Sequence, residues 1–178
     1  NLLDARRYPA DPAHDVTFTY DQGSTGKGHL TRLVDASGTT TFTYHSRGLL
    51  TQQNSNGILV GYGYNASDNL TSITYPSGRR ILYGRGGPNE AISKINLDIQ
   101  GTSLALVSGI AYRADGPIST WTYGNGLILK RTYDTDVRLT KQTLGGLQTL
   151  TWGYNNLDQL TAWTDLLDSA RSQRFGYD

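Results

Sequence analysis

The stretch Gly23-Ser24-Thr25-Gly26-Lys27-Gly28 comes nearest to a phosphate-binding loop. Such a loop needs Gly, four residues, then Gly-Lys and a hydroxyl residue, so that backbone N–H groups can wrap a phosphate. Here Asp21 stands where the first Gly should be and Gly28 replaces the hydroxyl. A widened loop between two strands is the expected reading. The three histidines, His14, His29 and His45, stand at no metal-ligand spacing, and the chain has no Cys, so neither a metal site nor thiol chemistry is expected. No Ser has a base beside it that would make it a nucleophile. Asp165 and Asp168, three apart, suggest paired carboxylates, but a solvated loop is the simpler expectation for both. Catalytic residues, metal ligands and cofactors are therefore all expected to be none, and the chain is not expected to be an enzyme.

Aromatic rings are the remaining chemistry. Twelve Tyr and three Trp offer faces that could stack on a sugar, and Trp121 and Trp163 are the candidates for ligand contact. Both nevertheless fall into a pattern that accounts for them as packing residues. A tyrosine recurs at Tyr20, Tyr44, Tyr64, Tyr83, Tyr112, Tyr133, Tyr154 and Tyr177. The next residue is often a short polar one: Asp21, Asn65, Asp134, Asn155 and Asp178. Recurrence in copy after copy argues for a turn role, because such side chains bond to backbone two residues on. An aliphatic follows six residues after the tyrosine at Leu50, Leu70, Ile118, Leu139 and Leu160, and later in the first and fourth copies, at Leu30 and Ile92. Thr follows the aliphatic in Leu30-Thr31, Leu139-Thr140 and Leu160-Thr161.

These positions need strands to carry them. Phe18/Tyr20, Phe42/Tyr44, Tyr62/Tyr64 and Trp152/Tyr154 are spaced by two, which puts both rings of a pair on one face of a strand. The flanking runs are rich in Thr, Tyr, Val, Ile and Trp. Turn signals separate them at Ser37-Gly38, Asn56-Gly57, Ser77-Gly78, Asn125-Gly126 and Gly145-Gly146, where Asn-Gly and Gly-Gly suit tight hairpins. A second apolar residue lies three beyond the aliphatic at Leu33, Ile73, Ile95, Trp121 and Trp163. An offset of three does not fit one face of a flat strand, so either a bulge lies there or both faces are covered. Apolar spacing of helical period is absent beyond two turns. A fixed period of about this size is the mark of a repeat architecture. The expected fold is all-β: tandem β-hairpin repeats, a single array over residues 1–178 in about seven to eight copies.

Composition agrees with a thin sheet. Apolar residues are 37%, Gly numbers 21 and net charge is +1, with a mean hydropathy of −0.46. No strong field favours nucleic acid, and no apolar run approaches the roughly 20 residues of a membrane span. The chain has no Met. A piece of a longer reading frame is expected, with Asn1-Leu2 the tail of one truncated copy and Tyr177-Asp178 the head of another. Its two end strands would leave open sheet edges, where self-association is expected.

Tyr20-Asp21, Leu30-Thr31, Asp35-x-x-Gly38 and Phe42-x-Tyr44 together resemble the YD repeat of bacterial Rhs proteins, insecticidal Tc toxin complexes and teneurins. The resemblance runs over essentially the whole chain, with Gly84 and Arg113 departing from the Asp position. It implies a continuous curved sheet, a segment of a YD-repeat shell. It also implies neighbouring YD repeats and an enclosed toxin domain as partners, and a secreted or cell-surface location in a bacterium. Under that resemblance Tyr20, Tyr44, Tyr64, Tyr112, Tyr133, Tyr154 and Tyr177, with Leu50, Leu70, Leu139 and Leu160, are structural repeat positions. The alternative it leaves open is a carbohydrate- or receptor-binding surface.

Overall fold

The computed structural model describes residues 2–178; Asn1, expected to belong to a truncated copy, lies outside them. Sixteen antiparallel strands follow one another in sequence order in an open sheet, as the hairpin pattern predicts. They are β1 (Ala5–Arg6), β2 (Val16–Tyr20), β3 (Leu30–Asp35), β4 (Gly38–Tyr44), β5 (Leu50–Ser55) and β6 (Ile58–Tyr64). Next come β7 (Leu70–Thr74), β8 (Arg80–Arg85), β9 (Ile92–Ile99), β10 (Thr102–Tyr112) and β11 (Ile118–Tyr123). The last are β12 (Ile128–Tyr133), β13 (Leu139–Leu144), β14 (Gln148–Tyr154), β15 (Leu160–Asp165) and β16 (Gln173–Arg174). Two compact units are formed: residues 2–82 with 98–102, and residues 83–97 with 103–178.

A single layer buries little. Among the described residues only Leu129 and Leu150 are buried apolar side chains, and most strand positions are half-buried. Stability must then come from neighbour-to-neighbour contacts along the sheet, as in other repeat arrays.

Within each unit the turns alternate between two edges. One, the tyrosine edge, carries the loops that follow Tyr20, Tyr44, Tyr64, Tyr112, Tyr133 and Tyr154; the other, the hairpin edge, carries the turns within each hairpin. Two hairpins turn on a pair of residues with positive φ. One is Asn56-Gly57 (+52° and +88°), as its sequence predicts; the other is Gln100-Gly101 (+52° and +88°), which lacks the usual Asn or Asp signal. Asn125-Gly126 departs from the expected tight turn. Only Gly126 takes a positive φ, and Tyr123 N–H reaches Leu127 O at 2.8 Å across a wider loop. Ser77-Gly78 lies in the same kind of loop, with Tyr75 N–H bonded to Arg79 O at 2.9 Å.

Asn56 also ties two hairpins together. Its Oδ1 accepts from Thr39 N–H at 2.8 Å, and its Nδ2 donates to Ser37 O. A side chain at Gly38 would collide with it, since a Cβ there would lie 2.2 Å from Asn56 Oδ1.

Candidate functional site: the tyrosine and bulge of each repeat

The offset of three is a β-bulge. Thr43 pairs with Gln52 but Tyr44 with Leu50, so Thr51 is the extra residue. The same shift inserts Thr31 opposite Tyr20, Thr71 opposite Tyr64, Ser119 opposite Tyr112, Thr140 opposite Tyr133 and Thr161 opposite Tyr154. One inserted residue restores phase, so that aliphatics three apart share a face. The inserted residue is a hydroxyl residue in all six. Its hydroxyl donates back across the ladder where strand pairing is broken: Thr31 to Thr19 O (3.0 Å), Thr51 to Thr43 O (3.0 Å), Ser119 to Ala111 O (3.1 Å) and Thr140 to Thr132 O (3.1 Å).

A bulge also leaves a main-chain carbonyl short of a ladder partner, and buried carbonyls seek one. The tyrosine of the next copy supplies it. Tyr44 Oη donates to Leu30 O at 2.7 Å, Tyr64 to Leu50 O at 2.9 Å and Tyr112 to Ile92 O at 2.8 Å. Tyr133 donates to Ile118 O at 2.9 Å, Tyr154 to Leu139 O at 3.0 Å and Tyr177 to Leu160 O at 2.8 Å. Tyr44, Tyr64, Tyr133 and Tyr154 thus each face their own bulge through the backbone and close the preceding one through the hydroxyl. Tyr20 faces the Leu30 bulge on β3. Even the irregular stretch around Ile92 keeps the hydroxyl-to-carbonyl bond. Leu50, Leu70, Leu139 and Leu160 open the bulged strands and are half-buried.

In two copies the residue before the aliphatic covers the next tyrosine. His29 stacks on Tyr44 with centroids 4.5 Å apart, and the Arg138 guanidinium lies 5.1 Å from the Tyr154 ring centre. No signal for this pairing is legible in the sequence, because the partners are about 15 residues apart.

The Asp or Asn after the tyrosine builds the turn. Asn65 Oδ1 accepts from Ser67 and Asn69 N–H (3.0 and 2.9 Å), Asp134 Oδ1 from Asp136 and Arg138 (3.0 and 2.9 Å), and Asn155 Oδ1 from Leu157 and Gln159 (2.9 and 3.0 Å). Loss of solvent raises the Asp134 carboxyl, but the Arg138 backbone N–H and guanidinium outweigh this and hold it below its ordinary 3.8. Arginines also link one turn to the next: Arg47 pairs with Asp68 at 2.8 Å, and Arg138 with Asp158. The fourth turn residue takes a positive φ, supplied by Gly48 (+82°) and Gly116 (+110°) but by Val137 (+64°) in one copy. A β-branched residue pays about 1–2 kcal/mol there, more than the roughly 0.5–1 kcal/mol of entropy that Gly costs. Val137→Gly is expected to raise the stability measured by urea denaturation by about 0.5 kcal/mol; a loss would contradict the strain.

Burial pushes the phenols of Tyr44, Tyr64 and Tyr154 above their ordinary 10.0. A phenol raised by folding stabilises fully below pH 10.0 and loses that contribution as pH rises through its folded value. The hydrogen bonds act in the same direction as burial, since a phenolate cannot donate to a carbonyl. Stability in urea is expected to fall above pH 10 in step with tyrosinate absorbance. Its persistence after the rings ionise would contradict the donor role.

The other sequence candidates find structural partners. The Gly23–Gly28 loop folds onto the sheet: Thr25 Oγ1 donates to Tyr44 O at 2.7 Å, and Gly28 N–H reaches Asp21 Oδ1. His14 pairs with Asp11 at 2.6 Å, and His45 Nδ1 accepts from Arg47 N–H at 3.2 Å. Asp165 corrects the expectation of a solvated loop. It is buried, and its Oδ1 accepts from Leu167 and Asp168 N–H at 3.0 and 3.3 Å, capping the chain where β15 ends. Asp168 instead pairs with Arg171 at 2.9 Å. Trp121 is half-buried, with the Arg131 guanidinium 5.0 Å from its ring centre and Tyr123 packed edge-on at 5.8 Å. With Ile95, Val107, Ile110 and Ile118 it lines a shallow apolar depression of about 260 Å³. Trp163 is half-buried and sits opposite Trp152 in the ladder. Among the described residues no cluster of three His, Cys, Asp or Glu could hold a metal, and no helix is long and apolar enough to cross a membrane.

A sheet built from tandem hairpins, each closing the bulge of the last, defines a class of β-repeat protein. Two overlapping stretches of the chain, residues 26–57 and 44–80, match the RHS Repeat family model. No curated protein matches it. Among solved structures, the crystal structure of TcdB2-TccC3-TEV superposes with a TM-score of 0.78, at 15% identity, over 91% of this chain and 10% of that one. TcdB2-TccC3 without its hypervariable C-terminal region gives 0.77, at 15% identity, over 91% and 10%. The Tc holotoxin pore of Photorhabdus luminescens gives 0.73, at 14% identity, over 86% and 9%. The chain thus shares its fold with these proteins and spans about a tenth of their length.

Proposed function

We propose that the chain is a structural segment of an Rhs/Tc-type β-shell that encloses a toxic C-terminal cargo for delivery from a bacterium. The observation that carries this reading is the recurring tyrosine hydroxyl on the preceding bulge carbonyl, found at Tyr44, Tyr64, Tyr112, Tyr133, Tyr154 and Tyr177. A group that recurs in six copies serves the wall, whereas a reaction centre occurs once. The likeness in fold to TcdB2-TccC3 supports it. On this reading residues 1–178 are one array of about seven to eight copies, and these tyrosines, with Tyr20, Leu50, Leu70, Leu139 and Leu160, are wall positions with no part in making or breaking bonds. Neighbouring repeats of a longer secreted or surface protein cover the end strands β1 and β16.

The test is protease protection of the segment that follows the array in the parent protein. That segment should stay uncut while the sheet is intact and become cut when Tyr133 and Tyr154 are both replaced by Ala. A following segment cut equally fast in both would sink the enclosure reading.

A further inference from the structure

The turn after Tyr44 is built on a histidine. His45 stands where other copies have Asn65, Asp134 and Asn155, and its ring takes their role: Nδ1 accepts from Arg47 N–H at 3.2 Å, two residues on. The equivalent bonds end on side-chain oxygen, from Ser67 to Asn65, Asp136 to Asp134 and Leu157 to Asn155, at 3.0, 3.0 and 2.9 Å. A backbone N–H donates to a ring nitrogen only while that nitrogen carries a lone pair, so this turn requires a neutral imidazole with its proton on Nε2. An amide oxygen has no such requirement, and Asp134, held below its ordinary 3.8, stays a carboxylate in mild acid.

The next turn hangs on this one. Arg47 reaches across to the loop after Tyr64: Nη1 donates to Ala66 O at 2.8 Å, Nη2 to Asn65 O at 3.2 Å, and Nη2 pairs with Asp68 at 2.8 Å. Its backbone therefore belongs to one copy and its guanidinium to the next. Other groups meet the His45 turn from both sides. Ser46 Oγ lies 3.4 Å from the same Nδ1. Gly48 N–H bonds back to His45 O at 2.8 Å, and a Cβ on Gly48 would stand 3.0 Å from His29 Nε2. His29 stacks on Tyr44 from the preceding loop, and its carbonyl accepts from Asp21 N–H at 3.2 Å. A proton on His45 thus adds positive charge to a corner that already holds Arg47 and the titratable His29, where Asp68 is engaged by Arg47.

We propose that His45 is an acid-sensitive joint: its protonation turns an acceptor into a donor, opens the turn after β4 and releases Arg47 from the loop after Tyr64. Histidine is the side chain whose charge changes between about pH 5 and pH 8. Once protonated, Nδ1 presents an N–H to the Arg47 N–H, and the two repel. The array then loosens at this turn in mild acid, while the turns on Asn65, Asp134 and Asn155 stay closed.

Amide exchange with water, read residue by residue by NMR on the whole chain and corrected for the intrinsic rate at each pH, tests this. Protection of the Arg47 amide is expected to fall about threefold or more between about pH 8 and pH 5, the change that loss of one hydrogen bond brings. The fall should follow the titration of the His45 ring, and the Ser67 amide, bonded to Asn65 in the same way, should not change. His45→Asn should abolish the fall at Arg47, and His29→Gln should leave it in place. The comparison of Arg47 with Ser67 needs no variant, so the test stands even where a substituted chain fails to fold. Equal protection of Arg47 at both pH values, a fall that persists in His45→Asn or vanishes in His29→Gln, or a parallel fall at Ser67 would overturn the proposal.

Discussion

Tyr154→Ala is expected to cost the array about 3 kcal/mol, the low end for truncating a large aromatic because the ring is only half-buried. Three things are lost at once. The ring leaves its place against the start of β13, the Arg138 guanidinium 5.1 Å from its centre loses its face, and Leu139 O loses the donor 3.0 Å away. Tyr154→Phe separates the last of these. It should cost about 1 kcal/mol, since a carbonyl left without its partner is penalised but partial exposure lets water reach it. Urea denaturation of the two variants measures both numbers. A cost below about 0.5 kcal/mol for the alanine variant would mean the ring is not packed. Equal costs for the two variants would assign the whole effect to the hydroxyl.

Gly124→Ala should be the most damaging single methyl group that can be added to the second unit. Gly124 N–H donates to Leu106 O at 2.8 Å, and an ideal Cβ at Gly124 would stand 2.1 Å from Ala105 O. The obstacle is backbone, so it cannot rotate aside as the tip of a side chain can. The loop between β11 and β12 must instead withdraw from β10, at a cost of about 2–3 kcal/mol by analogy with overpacked sites. Gly146→Ala is the matched control: a Cβ there meets nothing within 4 Å, and a Gly replaced at a compatible position changes little or stabilises slightly. A Gly124→Ala variant as stable as Gly146→Ala would show that the loop between β11 and β12 does not sit against β10 in solution.

Much of this was legible in the chain because the repeat is written in residue types. The spacing of two in Phe42/Tyr44 and Trp152/Tyr154 reads as one strand face, and the recurring Asp or Asn after tyrosine reads as a turn former. The bulge was half legible. An offset of three between Leu70 and Ile73 is equally consistent with a bulge and with a sheet covered on both faces, and only the ladder decides. Its best signal lay in plain view: Thr31, Thr51, Thr71, Thr140 and Thr161 follow the aliphatic, and a hydroxyl there can bond the carbonyl that the broken ladder exposes. The hydroxyl-to-carbonyl bond of each tyrosine was not legible, because its acceptor is main chain and has no residue type. Burial of Asp165 escaped for a related reason, since it depends on how the chain turns after β15.

The tyrosine that reaches back to the preceding bulge has a mechanical consequence. Pulled from its two termini, the sheet cannot slide as a whole, because six of its tyrosines latch a copy to the one before it. It should come apart latch by latch, every event freeing one copy of about 21 residues and lengthening the chain by about 70 Å. A force–extension trace with evenly spaced teeth, which broaden when Tyr133 becomes Phe, would be the record of those latches opening.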